Sequence, residues 1–399
     1  MIISLIIIIL CSYLIWKSSA SFDIASSYLT RNLNEGIKGP TINAIASSLP
    51  ELLISSIFLF YIGDLEGFSA GYATIIGSSI FNIAIIPTIS FFVIFYKKGK
   101  LFFPTDKDII AQDGFFLIIT EIILLIGLFV GGISIYLAST LIVLYCVYIL
   151  IVFKKRNKKN LKKSSKKPYN INFDDDSLIK KLINVNVASL ILNKSKLNKW
   201  KAILILIISI IIISIACKEL VVSSEDLSKQ LNINLFFITF LIAAVASSIP
   251  DTILSIKDAK NEKYKDAFSN AYGSNIFDIC IGIGLPVLIY LLVNDQKVVT
   301  TNNTNNEILY GAGNQIIDDT RNEISYGASA TVESISANSN SFFEFFASMD
   351  IVLLSALLLV IFSIPISLIY WFKDLNYKRS LIIISLYFCF IGIVYYLSL

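Results

Sequence analysis

Ala46-Ser47-Ser48-Leu49-Pro50-Glu51, followed by Gly77-Ser78-Ser79-Ile80-Phe81-Asn82-Ile83, is a pattern that this chain writes twice. The second copy runs Ala246-Ser247-Ser248-Ile249-Pro250-Asp251 and then Gly273-Ser274-Asn275-Ile276-Phe277-Asp278-Ile279. Each copy sets hydroxyls, a proline and a carboxylate inside one apolar segment. Each then sets Gly-Ser and a second oxygen-bearing side chain inside the next. Carboxylates are costly in a bilayer and mark functional positions by default. The repetition argues against chance, and the two copies read as halves of one ion-binding site.

The rest of the chain is membrane-like. Hydrophobic residues make up 55% and charged residues 16%, and the mean hydropathy is +0.74. This composition excludes an ordinary soluble enzyme. A spanning helix needs about 20 mostly apolar residues, and ten stretches qualify: 2–21, 41–62, 67–95, 113–131, 133–153, 202–217, 234–256, 266–294, 348–372 and 380–398. Lys17 follows the first apolar run and no base precedes it. That order is the reverse of a signal peptide, so a retained helix is expected.

The chain has no histidine, which removes His-based metal sites, catalytic triads and proton relays. Cys11, Cys146, Cys217, Cys280 and Cys389 fall one per apolar segment without a CxxC pair. They read as small apolar residues and not as a disulfide framework or zinc site. No cofactor is indicated. The expected partners are the lipid bilayer and small inorganic cations, with no nucleic acid and no obligate protein partner.

Lysine and arginine placement predicts the topology. Lys17, Arg31, Lys38, Lys97, Lys98, Lys100, Lys107, the run from Lys154 to Lys167, Lys257, Lys260, Lys263, Lys265, Lys373, Lys378 and Arg379 all fall on one side of a ten-helix chain. The other side receives Lys218, Lys229, Lys297 and Arg321. Both termini are therefore expected outside and the basic loop 154–201 in the cytoplasm. The two motif copies then run in opposite senses, as in transporters built from inverted repeats. The expected division is a first half, 1–153, holding one repeat (about 41–90), and a second half, 202–399, holding the other (about 240–290). The second half includes a polar outward loop, 295–346, with a glycosylation sequon at Asn302-Asn303-Thr304. Loop 154–201 reads as a solvated or headgroup-facing linker; its Asp174-Asp175-Asp176 run leaves a small regulatory calcium site as an alternative.

The chemistry follows from the residue types. Pro50 and Pro250 lack an N–H and free carbonyls about one turn earlier, which in lipid must be satisfied by protein, water or ions. Ser47, Ser48, Ser247 and Ser248 supply hydroxyls at that level. Gly77-Ser78 and Gly273-Ser274 permit close helix approach. Asn82 and Asp278 lie four residues beyond each Ser and share its helix face. Glu51, Asp251, Asp278, Asn82 and the serines are all hard oxygen donors, suited to calcium or sodium and not to zinc or copper. Three buried carboxylates need cations or protons. Glu121 stands alone in the fourth span and reads as a peripheral ligand, a proton site or a lipid-facing acid.

At these motifs the chain resembles the calcium/cation antiporter superfamily, specifically the sodium/calcium exchangers. The second copy is most similar to their potassium-dependent branch. The resemblance implies an all-α polytopic membrane protein of about ten transmembrane helices in two inverted five-helix repeats. It implies antiport of calcium for sodium by alternating access, with potassium carried beside calcium as a further possibility. Glu51 and Asp251 would be central calcium ligands. Ser47, Ser48, Ser78, Ser247, Ser248, Ser274 and Asn82 would line the sodium and calcium sites, and Asp278 would tune potassium or sodium. Ala46 and Ala246 stand where the family usually has Gly, and Ser47 and Ser247 where Thr is common. Glu51 to Asn82 spans 31 residues but Asp251 to Asp278 only 27, with the extra length expected in the turn Gly63–Gly67. Calcium/proton exchange, exchange of another divalent cation, and a cation channel are the alternative functions. The plasma membrane and an organelle membrane both fit.

Overall fold

A computed structural model describes residues 1–29, 44–159, 180–181, 184–192, 197–293, 297–298, 309–310 and 350–398. Its helices are α1 (Ile2–Leu29), α2 (Ala44–Ser47), α3 (Leu49–Ile57), α4 (Asp64–Lys98), α5 (Lys107–Ile109), α6 (Phe115–Gly131), α7 (Ile135–Lys159) and α8 (Val187–Leu192). There follow α9 (Lys199–Leu231), α10 (Leu235–Ile238), α11 (Ala244–Ser247), α12 (Ile249–Lys260), α13 (Tyr264–Phe277), α14 (Gly284–Val293), α15 (Ile351–Phe372) and α16 (Tyr377–Ser398). A two-residue antiparallel pair joins Lys297–Val298 to Leu309–Tyr310. The Asp174-Asp175-Asp176 run, the Asn302 sequon, Arg31, Lys38 and most of the two polar loops lie outside the described residues.

Among the described residues, eight helices are long and apolar enough to cross a membrane, and the pair Leu235–Ser247 and Ile249–Lys260, bent by 41°, makes a ninth span. The shorter apolar segment Leu49–Ile62, preceded by α2, is the counterpart of that pair and supplies the tenth. Both broken spans interrupt at the same motif position. Ser48 (φ −91°, ψ 6°) and Ser248 (φ −78°, ψ 1°) leave the helical path two residues before the proline. A proline is tolerated in the first turn of the new helix, where its missing N–H costs nothing.

The inversion is visible in the packing. Gly63 joins the end of the 44–62 segment to the start of α4, and α4 ends at Lys98. Lys98 Nζ donates to the Lys260 carbonyl at 2.6 Å, so α12 ends on the face where α4 ends. The first motif segment therefore leaves that lysine-bearing face and the second arrives at it. Phe103 and Leu375 exchange backbone bonds of 2.9 and 3.0 Å on the same face.

Helices α1 and α9 pack antiparallel along their length: Ile8 clusters with Leu227, Cys11 and Ile15 with Ile213 and Cys217, and Ala25 with Ala202 and Ile205. Here the structure extends the sequence reading, which ended the sixth span at 217. Lys218 and Glu219 break the apolar run, but the helix continues to Leu231 because Leu220, Val221, Ser224, Leu227 and Ser228 keep a buried stripe at helical spacing. The four residues by which the first repeat exceeds the second form the opening turn of α4 and not a loop. Gly67 allows that turn to pack, since a Cβ there would stand 2.3 Å from the Phe58 carbonyl oxygen. The larger core gathers α4, α6, α13, α15 and α16, and two tyrosines tie α15 to α4: Tyr72 Oη donates to the Val352 carbonyl at 3.1 Å and Tyr370 Oη to that of Ile83 at 2.8 Å.

Two expectations follow. Gly77 is where α4 meets the π-helical turn Thr239–Ala243; a Cβ would lie 2.0 Å from the Phe240 carbonyl oxygen and 2.8 Å from Ala244 Cβ. Gly77→Ala should destabilise by about 1–3 kcal/mol through overpacking, read as a lower thermal midpoint in detergent. An unchanged midpoint would mean the helices are not this close. At the lysine-bearing face, Lys100 Nζ meets Glu262 Oε1 at 2.8 Å. The hydrogen bond and charge of Lys100 hold the Glu262 carboxyl below its ordinary range. A lowered carboxyl stabilises the fold above its unfolded pKa and loses that contribution as pH falls through the folded value. Because the pair is exposed, Glu262→Gln should shift the midpoint little at neutral pH, and less still in high salt.

Candidate functional site

The helix breaks at Ser48 and Ser248 deliver the two proline-linked carboxylates to the centre of the bundle. Glu51 and Asp251 each stand in the first turn of a new helix, α3 and α12. Unpaired N–H groups and the helix dipole favour negative charge there. Helix α4, and α13 with the π-helical turn Asp278–Ile283 that continues it, cross these breaks and bring Ser78 and Asn82, and Ser274 and Asp278, on single faces. All ten residues predicted from sequence are buried: Ser47, Ser48, Glu51, Ser78, Asn82, Ser247, Ser248, Asp251, Ser274 and Asp278.

They do not form one symmetrical ring. Ser78 is the hub of the larger group, with its Oγ 2.8 Å from Ser248 Oγ, 3.4 Å from Glu51 Oε1 and 3.5 Å from Asp278 Oδ2. Asn82 Nδ2 donates to Ser78 Oγ at 3.3 Å, and Ser248 Oγ lies 3.4 Å from Glu51 Oε1. Asp251 anchors the second group: Ser274 Oγ donates to its Oδ1 at 2.6 Å and Asn270 Nδ2 at 3.1 Å. The groups interlock across the repeats. Ser47 of the first motif faces Asp251, and Ser247 of the second faces Glu51.

The unsatisfied atoms are informative. Glu51 Oε2, Asp251 Oδ2, Asp278 Oδ1, Asn82 Oδ1 and Asn270 Oδ1 are buried and have no hydrogen-bond partner. With the carboxylates ionised, all five can only accept, and a buried unsatisfied acceptor costs about 1–3 kcal/mol. No lysine or arginine occurs in 44–62, 64–96, 235–256 or 266–293. Two like unit charges about 4 Å apart repel by about 4 kcal/mol at an effective dielectric near 20. What this interior lacks is positive charge. Among the described residues no three acidic, His or Cys side chains converge as a metal cluster. The donor set is thus mixed, with hydroxyl and amide oxygens between separated carboxylates.

Asn270 belongs to the site but was not among the predicted residues. Its signal was present, since it precedes Ser274 by four residues and Asp278 by eight on the same helix face. Asn275 also enters: its Nδ2 donates to the Ser79 carbonyl at 2.7 Å and ties α13 to α4. Glu121 is neither lipid-facing nor part of the central group. It is buried, and Ser363 Oγ donates to its Oε1 at 2.8 Å.

The sodium/calcium exchanger protein family matches residues 2–154 and 201–312, about two thirds of the chain. The chain belongs to the sodium/calcium exchanger family. It is a multi-pass integral membrane protein of a family of exchangers, not enzymes. Over 62 residues this family member is 42% identical to the sodium/potassium/calcium exchanger 2 of Gallus gallus, a stretch covering 16% of this chain and 10% of that protein. Over 76 residues it is 38% identical to the sodium/potassium/calcium exchanger 3 of Rattus norvegicus, covering 19% and 12%. The likeness to these curated relatives thus spans about a tenth of their length. A crystal structure of the H+/Ca2+ exchanger CAX superposes with a TM-score of 0.60 at 15% identity, covering 100% of this chain and 85% of that one. The sodium-calcium exchanger NCX_Mj superposes with a TM-score of 0.54 at 18% identity, covering 98% of each. These likenesses establish the shared fold.

The Ser274 bond gives a direct check. Ser274→Ala removes the shortest donor to Asp251 and should cost about 1–3 kcal/mol. A lower thermal midpoint in detergent without calcium or sodium is the expected result; no change would show that the bond is not made.

Proposed function

We propose that this protein is a secondary active antiporter that exchanges calcium for sodium by alternating access. Glu51, Asp251 and Asp278, with Asn82, Ser47, Ser48, Ser78, Ser247, Ser248 and Ser274, would hold the transported ions. The observation that carries the reading is the set of buried oxygen atoms without donors, gathered where two inverted helix breaks meet and no basic side chain is present. Hard cations are the ligands such oxygens suit. Half-broken helices at the interface of inverted repeats are where transporters bind ions.

Exclusive occupancy supplies the coupling. Calcium and sodium compete for the same carboxylates, and a ligand shifts the conformational equilibrium only by its differential affinity for the states. An empty site with uncompensated carboxylates opposes occlusion, whereas a filled one permits it. Either gradient can then drive the other ion.

Asp278 is the charge that separates the repeats, since the first copy has Asn82 in its place. Three carboxylates are balanced by one calcium and one monovalent cation. This arithmetic, with the local likeness to sodium/potassium/calcium exchangers, supports potassium travelling with calcium. A proton in the monovalent place is the competing assignment, and proton-coupled calcium exchange would use the same acids.

The test is calcium uptake into proteoliposomes loaded with sodium, choline or acidic buffer, with and without external potassium. Uptake is expected to require internal sodium and to rise with external potassium. Glu51→Gln and Asp251→Asn should lower apparent calcium affinity at least about tenfold, a loss of about 1.4 kcal/mol or more. Asp278→Asn should remove the potassium requirement while leaving sodium-driven uptake. Uptake that follows the proton gradient and ignores sodium would move the protein to proton coupling. Normal transport by Glu51→Gln would show that the site is elsewhere.

A further inference from the structure

Glu121 lies outside the central group, and its surroundings define a second polar site behind α13. One face of α13, continued by the π-helical turn Asp278–Ile283, carries Asn270, Ser274 and Asp278 toward Asp251 and Ser78. Ser269 and Tyr272 turn the other way, toward α6 and α15. There Ser269 Oγ donates to Asp113 Oδ2 at 2.9 Å and Tyr272 Oη to Ser367 Oγ at 3.2 Å. Glu121 of α6 and Ser363 of α15 close this layer at 2.8 Å. Those two helices are the fourth and ninth spans, the equivalent members of the two halves.

The Glu121 carboxyl has one oxygen engaged by Ser363, while Oε2 is buried and without a partner. Among the described residues, no positive charge faces it from the packed elements. Helix α6, α15 and the π-helical turn Asp278–Ile283 contain no Lys or Arg. On α13 the one base, Lys265, is engaged by Asp106 at the lysine-bearing face, and on α7 the bases begin at Lys154. The titratable groups around this layer are all acidic or neutral. Among the described residues they include Asp113 before α6, Tyr272 on α13, Cys280 and Asp278 on the π turn, Tyr145, Cys146 and Tyr148 on α7, and Tyr370 on α15. Cys280 Sγ meets Thr120 Oγ at 3.9 Å, and Tyr370 on α15 is committed to the Ile83 carbonyl.

A metal cation needs several oxygens, and Glu121 has one hydroxyl at bonding distance. A proton needs only Oε2. It makes the side chain neutral, which is the condition for keeping an unpaired carboxyl in an apolar interior.

We propose that Glu121 is a proton-binding site distinct from the central carboxylates. Its proton resides on Oε2 while Oε1 accepts from Ser363, and it holds α6 and α15 together behind α13. Losing that proton leaves an uncompensated charge between the two halves and slows the exchange cycle. This inference goes beyond the proposed exchange and does not depend on which ions the central site carries.

Two measurements on the full chain test it. In calcium-loaded protein, the infrared difference between parent and Glu121→Gln should contain the carbonyl stretch of a protonated carboxylic acid. Ser363→Ala, which keeps the acid and removes its donor, should shift that same band. A difference spectrum showing an ionised carboxylate in its place would overturn the assignment. In proteoliposomes, Glu121→Gln, which mimics the protonated acid, should keep transport at neutral pH and flatten its decline at alkaline pH. An alkaline limb identical to the parent's would refute the coupling to transport. If Glu121→Gln does not fold, the Ser363→Ala band shift and its altered alkaline limb decide both points. If the parent fails to exchange calcium at all, the proposed function falls, and the infrared result alone decides the proton site.

Discussion

Three carboxylates share an interior that contains no basic side chain, and that constraint explains most of what surrounds them. Glu51 and Asp251 are placed at helix N-termini, where peptide dipoles offset part of the cost of a buried charge. Ser274 and Asn270 donate to one oxygen of Asp251 and leave the other bare. Ser78 stands between Glu51, Asp278 and Ser248, with fewer protons to give than acceptors to satisfy. A purely structural polar core would have closed these valences. Here the protein's own donors stop short, and on the proposed reading a cation fills the shortage.

The backbone meets the same constraint by being written twice. Breaking a membrane helix exposes carbonyls that lipid cannot satisfy, so irregular backbone is tolerated only where protein or a cavity covers it. The breaks at Ser48 and Ser248 cover one another through α4 and α13, each passing the opposite repeat's interruption. Close approach is essential to that arrangement. Gly77 lets α4 reach the backbone of the π turn before α11, and Asn275 binds the Ser79 carbonyl from α13. Four π-helical turns fall in the motif spans and before α6. Such turns shift side-chain register locally and are common at functional sites.

How much of this was legible beforehand depended on the kind of signal. Apolar length and lysine placement gave the spans and their inversion because both depend on bilayer thickness and charge, which are one-dimensional along the chain. The carboxylates were visible because a charged residue in an apolar run has few explanations. Asn270 escaped because an amide in such a run is less conspicuous, although its spacing to Ser274 and Asp278 was already that of one helix face. The end of the sixth span escaped for the opposite reason. Lys218 and Glu219 looked like an exit from the membrane, whereas tertiary packing of the serine-bearing stripe on α1 carries the helix about four turns further, to Leu231. The division of α13 into two polar faces could not be read at all. Ser269, Asn270, Tyr272 and Ser274 are all buried and polar-bearing, and only packing decides which of them turns to Asp251 and which to α6.

That division bears on how the two halves could work together. Inverted repeats give the backbone two access states of similar energy, but the side chains of this chain are not symmetric. Asp278 stands where the first repeat has Asn82, Asn270 where it has Thr74, and Glu121 on the fourth span meets a serine on the ninth. In the proposed alternating-access cycle, symmetry of the backbone would let the switch run in both directions, and asymmetry of charge would set the condition under which it runs. On the proposed reading, the central carboxylates make the switch conditional on metal cations. Glu121, held between equivalent helices of the two halves and bonded to neither central group, makes the same switch conditional on a proton. Two conditions imposed from opposite faces of α13 can act on one movement without competing for one ligand. A single shared site could not separate them.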